Sequence, residues 1–410
     1  MKNALRIIVI ILAARAVAGA QVAPAATGPS GVPITGNFRF DTHYSQSAEF
    51  GGSLGNWQTS TASAELGYSN DSTRRPFSLN YAGGYTWTIS GPDYSNGLFQ
   101  RLSLTQGILW HKWVANLSDG VGYRPQAPTT GFSGIAGIGE PIGVTEPTSP
   151  ITQSILTVNT HTLDNNSTAE LQHPLTHATT LSFGGSYDLL RYPDGNGLDT
   201  DSQMENAGVT WRINARNSFS SMYDYSRFSY PGYDVTFNTD TAMFSYNRAW
   251  SRRLSTQMGA GPEWIEYPAS SAMPAGTMLS VNASMTYALH FGTLGAGYSR
   301  GTNGGAGYMV GGKVDAVTAN FSREIRKTAT FGITGAYTRN QGLQTIGTTN
   351  NTYGGVQASQ QMGRYLSAYA NYTAASQSSS AALPANALND ILQTVSFGIG
   401  YSPKEKHFNH

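Results

Sequence analysis

Residues 77–89 read FSLNYAGGYTWTI, with Phe77, Leu79, Tyr81, Gly83, Tyr85, Trp87 and Ile89 at the odd positions and Ser78, Asn80, Ala82, Gly84, Thr86 and Thr88 between them. A two-residue period sustained this long marks a β-strand, whose successive side chains point to opposite faces. On a helix the same large side chains would scatter around the axis, and Gly83 and Gly84 would each cost about 1 kcal/mol relative to alanine. The segment is also about twice the ~5–6 residues usual for strands in water-soluble folds. It suits the roughly 9–11 residues that a strand tilted at about 45° needs to cross the hydrocarbon of a bilayer. One fatty face and one small polar face then mean lipid on one side and water on the other.

Residues 1–20 carry Lys2 and Arg6, an apolar run from Ile7 to Ala14, and Ala18-Gly19-Ala20 before Gln21, the pattern of a secretory signal peptide with cleavage at that point. Residues 21–36, rich in Ala, Pro and Gly, read as a periplasmic leader into the first strand. The chain has no cysteine, which removes disulfides and thiolate metal sites. Its net charge of +1 and charged content of 12%, about half the globular average, speak against a nucleic-acid partner. The mean hydropathy is −0.29. In a barrel only alternate residues meet lipid, so that value is compatible with a membrane protein. The 47 glycines suit a crowded wall, and the 23 tyrosines and 7 tryptophans suit the two water–lipid interfaces.

From residue 37 the chain keeps one rhythm: a long alternating segment, a short turn often bearing Arg or Lys, a second alternating segment, and a longer stretch of Gly, Ser, Asn and Pro. The short turns centre near Thr73, His111, Leu175, Arg216, Arg252, Gly292, Arg326 and Gly363, about one hairpin apart except for a single wider gap. Strands are expected near 37–45, 57–69, 77–89, 98–109, 113–124, 157–172, 177–190, 203–213, 218–229, 235–249, 254–266, 277–291, 294–300, 314–323, 329–339, 352–362, 365–373 and 391–401. That is an all-β, antiparallel up-and-down transmembrane barrel of about eighteen strands over 37–401, with sixteen as the alternative and 402–410 as a periplasmic tail. The longer stretches, among them 191–202 and 301–312, are expected to be exposed external loops.

These features, with the closing strand ILQTVSFGIGYSP over 391–403, resemble bacterial outer-membrane β-barrels of the porin type over nearly the whole mature chain. The resemblance implies residence in the outer membrane, contact with outer-membrane lipid, and recognition of the aromatic end at Tyr401 by the barrel-assembly machinery. It implies a channel for passive diffusion of small polar solutes, with no cofactor, and a homotrimer is among the assemblies it allows. Porins fold their third external loop into the lumen. Here the third external connection, 125–156, is the longest, and it carries Glu140 and Glu146 among glycines and isoleucines. An inward fold would place both carboxylates in the pore.

On the first strands Phe38, Phe40 and Tyr44 alternate with Arg39, Asp41 and His43, and Ala62, Leu66 and Tyr68 with Glu65. The same logic points Arg101 and Arg124 inward. Arg39, Asp41, Glu65, Arg101 and Arg124 are therefore the wall candidates for setting selectivity, or else hydrated wall residues paired with one another. Two other functions compete with the channel: a structural or adhesive surface barrel with a closed lumen, and an outer-membrane hydrolase. Enzyme signatures are weak. Gly51-Gly52-Ser53-Leu54-Gly55 matches a nucleophile elbow but sits between two strands, and His173 and His177 flank Pro174 in what reads as a turn.

Overall fold

The computed structural model describes residues 36–52, 55–70, 72–93, 96–126, 160–195, 197–233, 235–267, 275–305, 309–326, 328–343, 347–380, 390–403 and 406–408. The expected signal peptide and the greater part of the long third loop, Glu140 and Glu146 included, lie outside the described residues. The strands are β1 Gly36–Phe50, β2 Asn56–Asn70, β3 Phe77–Ser90, β4 Gly97–Trp110, β5 Trp113–Gln126, β6 Thr160–Pro174, β7 Thr179–Arg191, β8 Thr200–Arg212, β9 Asn217–Tyr230, β10 Val235–Ala249, β11 Leu254–Glu266, β12 Gly276–Leu289, β13 Gly292–Asn303, β14 Gly312–Arg326, β15 Ala329–Gly342, β16 Thr348–Gln361, β17 Leu366–Ser379, β18 Ile391–Tyr401 and the short β19 Lys406–Phe408.

Each strand pairs antiparallel with its sequence neighbours, and β18 pairs with β1 from Thr42↔Tyr401 to Phe50↔Gln393, closing an eighteen-stranded meander. Closure matters physically because a sheet in lipid has no water to satisfy an open edge. Every expected strand is present. Several run further than their alternation signalled, β1 to Phe50, β16 from Thr348 and β17 to Ser379. Their extra residues are mostly Ser, Thr, Asn, Gln and Ala, with Glu49 and Phe50 at the end of β1, and the large apolar alternation has stopped; the ladder continues where the lipid that enforces alternation has ended.

The short turns fall where the sequence placed them and define one end of the barrel, the end at which β1 starts and β18 finishes; in outer-membrane barrels short turns mark the periplasmic end, and this end is called periplasmic on that ground. His111-Lys112 and His290-Phe291 are two-residue loops, and in the first His111 adopts φ 54°, the conformation that matches a hairpin's twist. His173 is not in a turn: it is the penultimate residue of β6 and stacks on Trp113 of β5 at 4.3 Å.

The outward face is the one that the alternation in β3 identified. Leu102 and Ile399 are half exposed and Phe397 is 62% exposed, with none of the described residues covering them. Near the periplasmic turns the outward ring is aromatic: Trp110, Trp211, Trp250 and Tyr401 are exposed, and Trp211, Phe219 and Phe244 stack in sequence at 5.9 and 6.3 Å. Such a girdle seats a barrel at the lipid–water boundary. Polar breaks interrupt the outer face: Glu205 of β8, opposite Gly185 and Tyr225, accepts a hydrogen bond from Gln203 Nε2 at 2.8 Å. Asp119 of β5 faces outward beside Leu104, and its carboxylate accepts hydrogen bonds from Ser167 Oγ at 2.6 Å and Asn165 Nδ2 at 3.0 Å.

Candidate functional site

If one set of alternate residues faces lipid, the other lines the lumen, and the register fixes which side chains share it. The inner wall is not uniform along the barrel axis. On β12 the inward residues pass from buried (Met278, Ser280) at the outer end, through Asn282, to exposed (Ser284, Thr286) toward the periplasm. On β11, Ile265, Glu263 and Gly261 are buried while Gln257 and Ser255 are exposed; on β16, Thr349, Asn351 and Tyr353 are buried while Gln361 is exposed. The outer half of the lumen is packed, and the inner half is open to water.

A distinct piece of chain fills part of that outer half. β12 pairs with β13 only from Val281↔Arg300 to Leu289↔Gly292, which leaves Gly276–Ser280 without a β13 partner. Freed from β12, the tip of the β13–β14 hairpin leans into the barrel. Residue 302, which would point outward had the strand continued straight, instead sets its hydroxyl 3.5 Å from the sulfur of inward-facing Met278. The carboxylate of Glu263 accepts the Thr302 N–H at 3.1 Å, and the carbonyl of Gly304 accepts the Tyr230 hydroxyl at 2.9 Å. Phe228, Tyr230, Phe237, Ile265, Met278 and Val310 form one buried cluster, against which Leu198, Val235, Tyr267 and Leu343 pack. Because β9 and β10 are not neighbours of β13 and β14, these contacts are made through the barrel mouth. Each buried Phe or Val contributes roughly 1.5–3 kcal/mol to holding the tip in place. Gly311, with φ +70°, is needed here: a Cβ would meet Leu343 and the Phe237 ring at 2.6 to 2.8 Å. The expectation that 301–312 is an exposed loop is corrected, since Gly305, Met309, Val310 and Gly311 are buried.

The wall also divides around its circumference. On β10 to β18 the inward positions are Ser, Thr, Asn, Gln, Gly, Ala and a few larger side chains; the charges there among the described residues are Glu263, Glu324 and, at the leaning tip, Lys313, which acts on Glu263. Charge is concentrated on β1 to β9. Arg39 Nε donates to Asp41, which is 1% exposed, and the Arg39 guanidinium lies 3.9 Å from Glu65. Arg101, Gly122 and Asp164 occupy one hydrogen-bond row of β4, β5 and β6. Gly122 leaves room between the two charges, since a Cβ there would lie 2.8 Å from the Asp164 carboxylate. Arg101 and Asp164 are both engaged with partners. The backbone of Arg124 lies in β5 opposite Thr162, and its side chain is outside the described residues. The structure thus gathers Arg39, Asp41 and Glu65 into one group and sets Arg101 three strands from Asp41 on the same row.

The alternation reading did not reach Asp188, Asp224, Glu170 and Glu263. Asp188 on β7 is held by Asn166, by Ser202 Oγ at 3.3 Å and by Ser186 Oγ at 3.4 Å. Glu170 on β6 accepts Gln172 Nε2 at 2.6 Å. The row Glu170, Gly184, Asn206, Asp224, Thr241, Glu263 crosses β6 to β11. The signal for it was present only as single acids on polar faces, and the register is what aligns them.

No family model and no curated protein matches this sequence. Among solved structures, OccK2 (OpdF) of Pseudomonas aeruginosa in complex with glucuronate matches with a TM-score of 0.51 at 11% identity, covering 90% of this chain and 97% of that one. OccAB3 of Acinetobacter baumannii matches with a TM-score of 0.50 at 9% identity, covering 91% and 99%. At such identities the likeness is one of fold, and the fold is that of outer-membrane channels of the porin type.

Proposed function

We propose that this barrel is a passive channel that carries small polar solutes across the outer membrane. The observation that carries the reading is the inner wall: hydroxyls, amides and glycines over half its circumference, charged groups over the rest, and an inner half open to water. Eighteen strands make a barrel wide enough for an aqueous path. The described part of the tip, Gly304, Gly305 and Met309–Gly311, narrows the outer half from one side. Solutes passing it trade water for wall hydroxyls and amides at little net cost, whereas apolar solutes gain nothing from such a lining. No reaction is assigned to the wall, and the structural neighbours are channels rather than enzymes.

The packed outer lumen favours one competitor, a barrel with a structural role whose lumen stays closed. Reconstitution of the purified chain into planar bilayers separates the two. Discrete conductance steps are expected from the channel, and a barrel that inserts without any steps would refute it. A parallel lipid and peptide hydrolysis assay is expected to give no turnover.

A further inference from the structure

We infer that the channel prefers positively charged solutes over anions, and that Glu170, Asp188 and Asp224 on the inner wall of β6, β7 and β9 set this preference. The inference rests on the channel reading above. It starts from how each charge is compensated. Among the bases of the described lumen, Arg212 meets only the neutral His177 carbonyl at 2.9 Å and keeps its charge near the periplasmic end of β8, whereas Arg39 is paired with Asp41 and Glu65 and Arg101 is engaged with a partner. The three acids have no such counterpart. Asp188 is held by Asn and Ser side chains and Glu170 by Gln172, all neutral donors, and no salt bridge among the described residues involves Asp224. A neutral donor orients a carboxylate without cancelling its charge.

Placement adds the second argument. Glu170 and Asp224 lie on one row three strands apart, about 14 Å at the ~4.8 Å strand spacing. Asp188 sits on β7 between them. The Debye length is about 8 Å at physiological salt and about 30 Å at 0.01 M, so the fields of the three acids overlap in dilute salt and separate in concentrated salt. The opposite wall, β12 to β18, offers among the described residues Glu324 and, at the leaning tip, Lys313, whose charge acts on Glu263 rather than on the three acids. Three such acids outnumber Arg212, and a narrow, low-dielectric wall with an excess of one sign raises the local concentration of the opposite one.

The test is a reversal-potential measurement on the full chain in planar bilayers under a KCl gradient. The K⁺/Cl⁻ permeability ratio is expected to be several-fold above one at 0.1 M, to fall toward one at 1 M, and to fall likewise in the Glu170→Gln, Asp188→Asn, Asp224→Asn triple variant. Should the triple variant fail to assemble, the salt dependence of the native chain decides alone. A ratio at or below one in dilute salt, or a preference that neither salt nor the substitutions move, overturns the inference while leaving the channel intact. Insertion without conductance overturns the channel reading, and this inference with it.

Discussion

Glu263 on β11 accepts the backbone N–H of Thr302 on β13 at 3.1 Å, a bond that skips the intervening strand β12. The carboxylate is 3% exposed, and hydrogen bonds to charged groups are worth about 1.5–3 kcal/mol. Glu263→Ala removes that anchor and is expected to free the 304–311 tip, giving larger or noisier single-channel currents from a normally assembled barrel. Glu263→Gln keeps an acceptor for Thr302 and should fall between. Native-like currents in Glu263→Ala would mean that the apolar cluster alone holds the tip.

The complementary variant acts on the cluster itself. Gly311→Val adds a branched side chain at φ +70°, where its Cβ meets Leu343 and Phe237 below 3 Å. The tip cannot stay seated against the wall with that residue in place. Limited proteolysis should then cut within 304–311 in the variant and leave the native chain intact there; equal resistance in both would show that the tip is not held by packing.

Met285 and Ser284 are neighbours on β12 that face opposite ways, Met285 toward Thr256 and Ala296 on the outer surface and Ser284 toward the exposed part of the lumen. Arginine on a lipid-facing site near mid-depth costs roughly 2–4 kcal/mol, and in a lumen it tunes selectivity instead. Met285→Arg should block the heat-modifiable mobility shift of a folded barrel, while Ser284→Arg should preserve it. Equal folding of the two variants would invert the face assignment.

What could be read without coordinates follows from what lipid enforces. Phe77 to Ile89, Leu279 to Phe291 and Thr179 to Leu189 must alternate because their outer faces meet hydrocarbon, so strand number and turn positions were legible. The inward tip was not. GTNGGAGYMVGG has the composition of a solvated loop, and its burial depends on Phe228, Tyr230 and Phe237, which in sequence look like any other strand residues. The acid row was hidden for a related reason, since only the pairing register places Glu170, Asp224 and Glu263 on one row across six strands. Asp119 passed unnoticed because its donors, Asn165 and Ser167, lie on the far side of the longest loop.

The seam of the barrel supplies the last test. β1 spans Gly36–Phe50, but β18 covers only Thr42–Phe50 of it, so the periplasmic end of β1 would have a partner on one side alone. β19 supplies the missing one: Phe408, His407 and Lys406 pair with Gly36, Asn37 and Phe38. The next residue, Arg39, holds Asp41 and reaches toward Glu65 of β2, so fraying of this end would loosen a lumenal charge group as well as a ladder. A net backbone hydrogen bond contributes about 0.5–1.5 kcal/mol, and the short β19 ladder therefore offers a few kcal/mol at most, against a barrel whose other seventeen strand junctions are untouched. Truncation after Ser402 is expected to leave the folded state accessible but to lower its unfolding temperature in detergent by several degrees. Restoring the register is the control. His407→Pro, which removes one N–H and resists the extended ladder, should reproduce much of the loss with the full length present, whereas His407→Thr should not. If truncation leaves the unfolding temperature unchanged, β19 contributes nothing to the seam, and β18 with Tyr401 closes the barrel alone.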